Sequence, residues 1–242
     1  MADPEVVAVI QARTSSSRLP GKVLAPLGGR SVLGHVIARA DEFAQQVVVC
    51  TSAGPEDDAV EEACAELDTI CVRGPLDDVF GRFRLALADP RVRPTPWFAR
   101  VTADCPLLSS TLARHLLAHT APDLDLVAVR NEDVTRGLPV ELVRRATFEA
   151  IDPAGLDGPQ REHVTLGLYE DPGRYRVRYV EVPEAQHHPE LRLTLDYPED
   201  YELLRRLFDD DPDLTGEAAV ARLLRDPELA AINRTQRQKP VR

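Results

Sequence analysis

Residues 6–10 read VVAVI, an unbroken apolar run in which four of the five side chains are β-branched. It is too short for an ordinary helix and lacks the polar alternation of a strand with one wet face, so it specifies a strand covered on both sides. A polar loop and a helical periodicity over 31–43 follow it. The pattern then repeats, with strands predicted over 46–51, 69–72, 97–102 and 126–129 and helices over 56–67, 77–88 and 109–119. Strand–helix alternation with short connections predicts an α/β fold, a mixed, mostly parallel sheet with helices on both faces. Such sheets bind ligands beyond the carboxyl ends of their strands, so the loops leaving those ends are where chemistry is expected.

The second half is less regular. An extended stretch over 139–143 and a helix over 159–170 precede 175–182, where Tyr175, Val177 and Tyr179 alternate with Arg176 and Arg178. That alternation predicts a half-exposed edge strand, an antiparallel addition to the mixed sheet. A strand over 191–195 running into Asp196, helices over 198–208 and 215–224, and a polar, frayed tail over 233–242 complete the prediction. No linker or low-complexity run divides the 242 residues, and 43% are hydrophobic, enough for one sizeable core, so a single domain is expected.

A net charge of −11 argues against a nucleic-acid partner. No apolar run approaches a membrane span and no basic segment precedes the first strand, so a cytoplasmic protein without a membrane partner is expected. The cysteines Cys50, Cys64, Cys71 and Cys105 form no C-x-x-C pair and are read as reduced core thiols.

The cations are more informative. Of 29 basic side chains 27 are arginine, and one of the two lysines, Lys239, is in the tail, so Lys22 stands out. It belongs to the loop IQARTSSSRLPGKVLAPLGG after the first strand, where Gln11, Ala12, Arg13, Ser15, Ser16, Ser17, Arg18 and Gly21 precede it. Small side chains let main-chain N–H groups approach phosphate oxygens, arginine adds planar bidentate donors, and an ammonium adds a compact charge. The loop is not a G-x-x-x-x-G-K-[ST] motif, because Val23 follows Lys22. A polyanion such as a nucleoside triphosphate is the expected ligand.

This loop resembles the N-terminal signature of the cytidylyltransferase family, in its spore-coat-polysaccharide-like branch, related to the enzymes that make CMP-sialic acid and CMP-Kdo. Further blocks fall in family order: PEDDAVEEAC, VRGPLDDVFGRF, RVTADCPLL, RGLPVEL, REHVT and LRLTLDYPED. The resemblance implies a nucleotidyltransferase fold of the glycosyltransferase-A, Rossmann-like type, often dimeric, with 1–130 as the nucleotide-binding half and 131–232 as the acceptor-binding half. It further implies CTP and Mg²⁺, transfer of CMP to a sugar acid or related small acceptor, and release of pyrophosphate. The alternating strand over 175–182 is the expected dimer edge. The chain departs from the family pattern at Ser15 and Ala103, where glycine is usual, at Pro139, where aspartate is usual, and at Tyr197, where threonine is usual.

Asp104 and Asp196 each follow a predicted strand and each precede a proline by two residues, positions that fix a side chain at a strand exit. Either alone reads more readily as a helix cap or an Asx-turn than as a metal ligand. The family places its metal-binding acids at these blocks, which implies Asp104 and Asp196 as Mg²⁺ ligands, with Arg13 and Lys22 as the catalytic cations and Arg18 as a further phosphate grip. Base recognition is implied for Arg73, Asp78, Arg82, Thr102 and Ala103, with a helix N-terminus as the alternative role of Asp78. Acceptor contacts are implied for Glu141 and His163, with Arg100, Arg136 or Arg161 available to a carboxylate. The D-x-D at Asp123 to Asp125 falls at the start of a strand and reads as a solvated turn, which weakens a glycosyltransferase alternative. A sugar-1-phosphate nucleotidyltransferase and a nucleotide-binding protein without turnover are the remaining rivals.

Overall fold

The computed structural model describes residues 4–16 and 18–237, which leaves Ser17, Lys239 and the end of the tail outside the described residues. The apolar run forms β1 (Val6–Gln11), and a short hairpin, β2 (Pro26–Leu27) and β3 (Arg30–Ser31), leads into α1 (Val32–Asp41). Then come β4 (Gln46–Ser52), α2 (Asp58–Glu66), β5 (Ile70–Gly74), α3 (Val79–Ala88), β6 (Trp97–Thr102), α4 (Ser110–Leu117) and β7 (Leu126–Ala128). The second half adds β8 (Glu141–Arg144), α5 (Arg145–Glu149), α6 (Gly158–Glu162), α7 (Leu166–Glu170) and β9 (Val177–Tyr179). It closes with α8 (Pro198–Asp210), α9 (Gly216–Arg225) and α10 (Pro227–Ala231).

Seven strands form one sheet in the order β5-β4-β1-β6-β8-β7-β9, with β8 antiparallel to both of its neighbours and every other pairing parallel. The strand period of two divides β1 between two cores. Val6, Ala8 and Ile10 pack with α1, α2, α4 and α8, whereas Val7 and Val9 pack with α3, α5 and α7. On the second face Phe80, Phe83, Phe98 and Phe148 form an aromatic cluster with centroid separations from 4.4 to 6.5 Å. Side-chain caps start the helices sharply: Ser31 accepts from Gly34 N at 3.0 Å and Ser109 from Leu112 N at 2.9 Å.

Four expectations need correction. The alternating segment does become an edge strand, β9, but it pairs parallel with β7, because β8 has already reversed direction. Residues 191–195 make no strand. Their main chain bonds to loops instead, Leu193 N to Arg136 O and Leu195 N to Asp104 O, with one bridge between Arg136 and Arg192. The helix predicted over 159–170 breaks into α6 and α7 at His163, whose φ of −105° and ψ of 47° leave the helical region. Finally, Asn233 is no frayed residue: it is buried, and its Nδ2 donates to Arg192 O at 3.0 Å and Asp200 Oδ1 at 2.8 Å.

Gly137 sits where the 191–195 segment crosses the loop before β8. Its φ of +98° is left-handed, and a Cβ there would lie 2.7 Å from the Leu193 carbonyl carbon and Thr194 N, so only glycine permits the close approach.

Candidate active site

Beyond the carboxyl ends of β1 and β6 lies a cavity of about 470 Å³. The loop leaving β1 is tied down before it reaches the cavity. Asp57, fully buried, accepts from Thr14 N at 2.7 Å, Thr14 Oγ1 at 2.8 Å and Ser52 N at 3.2 Å. Burial opposes its charge, but the hydrogen bonds from Ser52 and Thr14 prevail and its pKa falls below the ordinary carboxylate value. Gly21, at φ +71°, then turns the chain into a short 3-10 turn, Lys22–Leu24, which carries the lysine inward.

Lys22 is 8% exposed. Its Nζ donates to Asp104 Oδ2 at 2.7 Å, Asp196 Oδ1 at 2.9 Å and Leu195 O at 2.6 Å, an acceptor for each of its three protons. Burial lowers its pKa, but the two carboxylates overcome that and hold the ammonium charged. Asp196 Oδ1 also accepts from Arg18 Nη2 at 2.8 Å, and its Oδ2 from Arg192 Nη2 at 2.7 Å. Against the burial that would raise it, Lys22, Arg192 and Arg18 lower the Asp196 pKa. Arg18 lies 4.7 Å above the Tyr197 ring and donates to its hydroxyl at 3.1 Å.

Behind this row stands a second one. Asp200, fully buried at the start of α8, accepts from Arg192 Nε at 2.9 Å, Asp196 N at 2.9 Å, Tyr197 N at 3.0 Å and Asn233 Nδ2. Asp196 is thereby fixed through its main chain and through Arg192 together.

The α3 side of the cavity follows from strand register. Gln11 lies opposite Thr102, and Arg100 opposite Glu141. Glu141 accepts from Arg100 Nη1 at 2.7 Å, Thr165 Oγ1 at 2.8 Å and Tyr169 OH at 2.6 Å. Burial pushes the Glu141 pKa up and is outweighed by Arg100 and the two hydroxyls, so the group stays ionised. Arg13 Nη2 pairs with Glu162 at 2.9 Å. His163 lines the same wall, its pKa lowered by burial and then by the Arg100 charge. Arg82, 1% exposed, donates through Nη1 to the carbonyls of Pro75 and Leu76, both at 2.7 Å. Its Nε and the Gln11 Oε1 are buried with no hydrogen-bond partner among the described residues.

Every predicted site residue among those described lines this cavity except Arg73, Asp78 and Arg161. Arg73 instead pins α2 to the sheet edge, donating to Ser52 O at 2.9 Å and Gly54 O at 2.7 Å and pairing with Asp58 and Glu61. Asp78 caps α3 through Gly81 N at 2.9 Å and pairs with Arg161 at 3.0 Å, so it has the alternative role weighed for it. The D-x-D acids are likewise structural: Asp125 accepts from Thr147 Oγ1 and Arg176 N, and Asp123 pairs with Arg176. All four cysteines are free, and burial pushes the Cys50 and Cys105 thiols up to about 12.

Sequence reasoning missed Asp57, Tyr169, Arg192, Asp200 and Asn233. Two left a signal. Asp200 stands three residues after Tyr197 at a Pro-led helix start, the spacing of a capping box. Tyr169 follows Thr165 by four, a helical spacing that puts both on one side.

Asp104 and Asp196 suit a divalent cation. One oxygen of each already converges on a single cationic atom, and Mg²⁺ needs only one or two carboxylates when phosphate oxygens and waters complete its shell. No group of three or more His, Cys, Asp or Glu residues forms an all-protein metal cage among the described residues. No helix among them is long and apolar enough to cross a membrane.

The chain is similar to known proteins over nearly its whole length. A family model described as cytidylyltransferase matches residues 7–228. The chain is 31% identical over 237 residues to the spore coat polysaccharide biosynthesis protein SpsF of Bacillus subtilis, covering 93% of this chain and 97% of that one. Among solved structures, a cytidylyltransferase from Leptospira borgpetersenii superposes with a TM-score of 0.84 at 24% identity, covering 98% of this chain and 100% of the other. A CMP-2-keto-3-deoxy-manno-octonic acid synthetase complexed with CTP superposes at 0.64 with 19% identity, covering 86% and 99%.

Proposed function

The chain belongs to the cytidylyltransferase family, and from that premise we propose that it transfers CMP from CTP to a small acceptor of the sugar-acid type, with Mg²⁺ as cofactor and pyrophosphate as the second product. The observation that carries this reading is the placement of Lys22 between Asp104 and Asp196, with Arg13 and Arg18 on the same wall. Cations and carboxylates alternate at one cavity mouth, an arrangement suited to a triphosphate that arrives with its own metal.

In this reaction an acceptor oxygen forms a bond to the α-phosphorus, the bond from that phosphorus to the bridging oxygen of the β-phosphate breaks, and the acceptor hydroxyl releases its proton. Little covalent work falls to the protein; positioning and charge neutralisation supply most of the rate. Asp104 and Asp196 would hold Mg²⁺, which when bound neutralises phosphate charge and acidifies an acceptor hydroxyl. Arg13 and Arg18 supply donors to the phosphate oxygens, Lys22 supplies a fixed positive charge beside them, and the rigid Asp57–Thr14 tether keeps the loop shaped before substrate arrives. Gln11 and Arg82 line the cavity, and the Gln11 amide and the Arg82 guanidinium are an acceptor and a donor of the kind cytosine requires.

Thermal unfolding with CTP, UTP, ATP and GTP, each with and without Mg²⁺, tests the reading. A ligand bound only by the folded state raises the midpoint. A CTP-selective, Mg²⁺-dependent rise that Asp104→Ala abolishes is expected; no rise with any triphosphate rejects the assignment.

A further inference from the structure

Arg18 reaches the cavity from the loop after β1, and two groups hold it there. Nη2 donates to Asp196 Oδ1 at 2.8 Å, while Nη1 donates to the Tyr197 hydroxyl at 3.1 Å and the guanidinium carbon lies 4.7 Å from the centre of the Tyr197 ring. The two holds differ in kind. Asp196 is shared with Lys22 and Arg192, and on the CMP-transfer reading it is also a metal ligand, so its grip on Arg18 meets competition. The Tyr197 ring attracts a cation without carrying a charge of its own, and so leaves the guanidinium positive for a phosphate.

The tyrosine is itself fixed at both ends. Its main-chain N donates to the buried Asp200 at 3.0 Å, at the start of α8, and its hydroxyl donates to Arg237 O at 3.1 Å. A phenol has one proton, so with that proton placed the oxygen lone pairs are left to accept from Arg18. A second guanidinium, that of Arg192, lies 5.7 Å from the same ring centre. Threonine, usual at this position, would bring a hydroxyl but no ring.

Arg18 lines the cavity and Tyr197 does not. Any effect of the tyrosine on a ligand there must pass through a neighbour, and Arg18 is the cavity residue that it both stacks on and hydrogen-bonds. A loop arginine loses side-chain freedom when it grips a ligand; one already held loses less, and binding is tighter by the difference. We propose that Tyr197 is a positioning residue that holds the Arg18 guanidinium ready for the triphosphate of CTP and ties that grip to the end of the chain through Arg237. The proposal rests on the CMP-transfer reading above and adds to it a support for Arg18 that does not depend on the metal-binding acids.

The test needs no acceptor. Wild type, Tyr197→Phe, Tyr197→Thr, Arg18→Gln and the Arg18→Gln/Tyr197→Thr double variant are titrated calorimetrically with CTP and Mg²⁺, and with cytidine, which carries no phosphate. Tyr197→Phe keeps the ring and removes the hydroxyl; Tyr197→Thr removes the ring. CTP affinity is expected to fall by about threefold in Tyr197→Phe and about tenfold in Tyr197→Thr, with cytidine affinity within about twofold throughout. On the Arg18→Gln background, Tyr197→Thr is expected to cost less than about twofold, because the ring then has no guanidinium to hold. Losses that add across the two sites overturn the proposal, as does a fall in cytidine affinity equal to that for CTP, since a merely structural tyrosine loosens the whole cavity. CTP affinity unchanged in Tyr197→Thr overturns it as well. Failure of wild type to bind CTP with Mg²⁺ removes the underlying reading instead.

A second measurement uses the protein without nucleotide: the side-chain N–H resonances of Arg18 by NMR. Protons of a guanidinium held over the face of an aromatic ring are shifted upfield, and that shift is expected to persist in Tyr197→Phe and to vanish in Tyr197→Thr. An Arg18 signal indifferent to Tyr197→Thr contradicts the proposal.

Discussion

Lys22 Nζ and Asp196 Oδ1 are 2.9 Å apart, and both side chains are almost wholly withdrawn from water. The contact joins the loop after the first strand to the far end of the sequence, so the phosphate loop and the acid that faces it are held as one unit. The pairing is asymmetric. Asp196 keeps Arg18 and Arg192 if the lysine is lost, whereas Asp104 has no other cation among the described residues.

Lys22→Met should therefore cost about 1–3 kcal/mol in urea unfolding, less than the ~3–5 kcal/mol of a buried pair broken with nothing left to compensate it. Pyrophosphate release should fall by about a hundredfold or more, because the lost positive charge acts where negative charge develops. A stability loss with full turnover would remove Lys22 from the chemistry.

Acid should unfold the protein through its buried carboxylates. Asp57, Glu141 and Asp196 have folded pKa values below their ordinary ones. Their stabilisation is complete above the unfolded carboxylate pKa of roughly 4 and is lost as pH falls through the lower folded values. Lys22 has the opposite sign: its raised pKa contributes fully below its ordinary value of 10.5 and declines only as pH rises through the higher folded value. Urea midpoints should be flat near neutrality and fall below about pH 5, with a shallower acid limb in Glu141→Gln.

Gly137→Ala should be costly for its size. The substitution meets a left-handed φ of +98° and a main-chain contact at 2.7 Å that no rotamer can relieve. Strain of this kind amounts to about 1–3 kcal/mol, and relief requires Leu193 and Thr194 to move, carrying Asp196 with them. The expected outcome is a lower unfolding midpoint together with weaker CTP-induced stabilisation.

The parallel half of the fold was legible because its strands are buried on both faces: runs such as VVAVI have no other stable reading, and their ends locate the site. The 191–195 segment misled because Leu191, Leu193 and Leu195 alternate as a strand would, while their hydrogen bonds go to loops that no local pattern reveals. Lys22 stands out in the sequence by scarcity and Asp104 by its strand exit, and both line the cavity; Asp196 lines it too, but the strand expected before it does not form, so family likeness alone pointed there. Arg73 and Arg136 could not be separated by sequence, since both are arginines beside family blocks. Only folding shows that one is spent on Asp58, Glu61 and two carbonyls while the other is not.

Asn233 makes the same point and can be tested directly. Polar and lacking periodicity, its segment reads as a tail, yet the side chain is 3% exposed and supplies one of the donors to Asp200. Asn233→Ala should destabilise by about 1–3 kcal/mol, the cost of leaving a buried partner short of a hydrogen bond. Asn233→Asp should be worse at neutral pH, because it sets a second carboxylate against Asp200. Since Asp200 positions both Arg192 and the Asp196 main chain, either variant should also reduce CTP-induced stabilisation. Unfolding midpoints equal to wild type in both variants would mean that the segment contributes nothing to Asp200, and that the site is complete without the end of the chain.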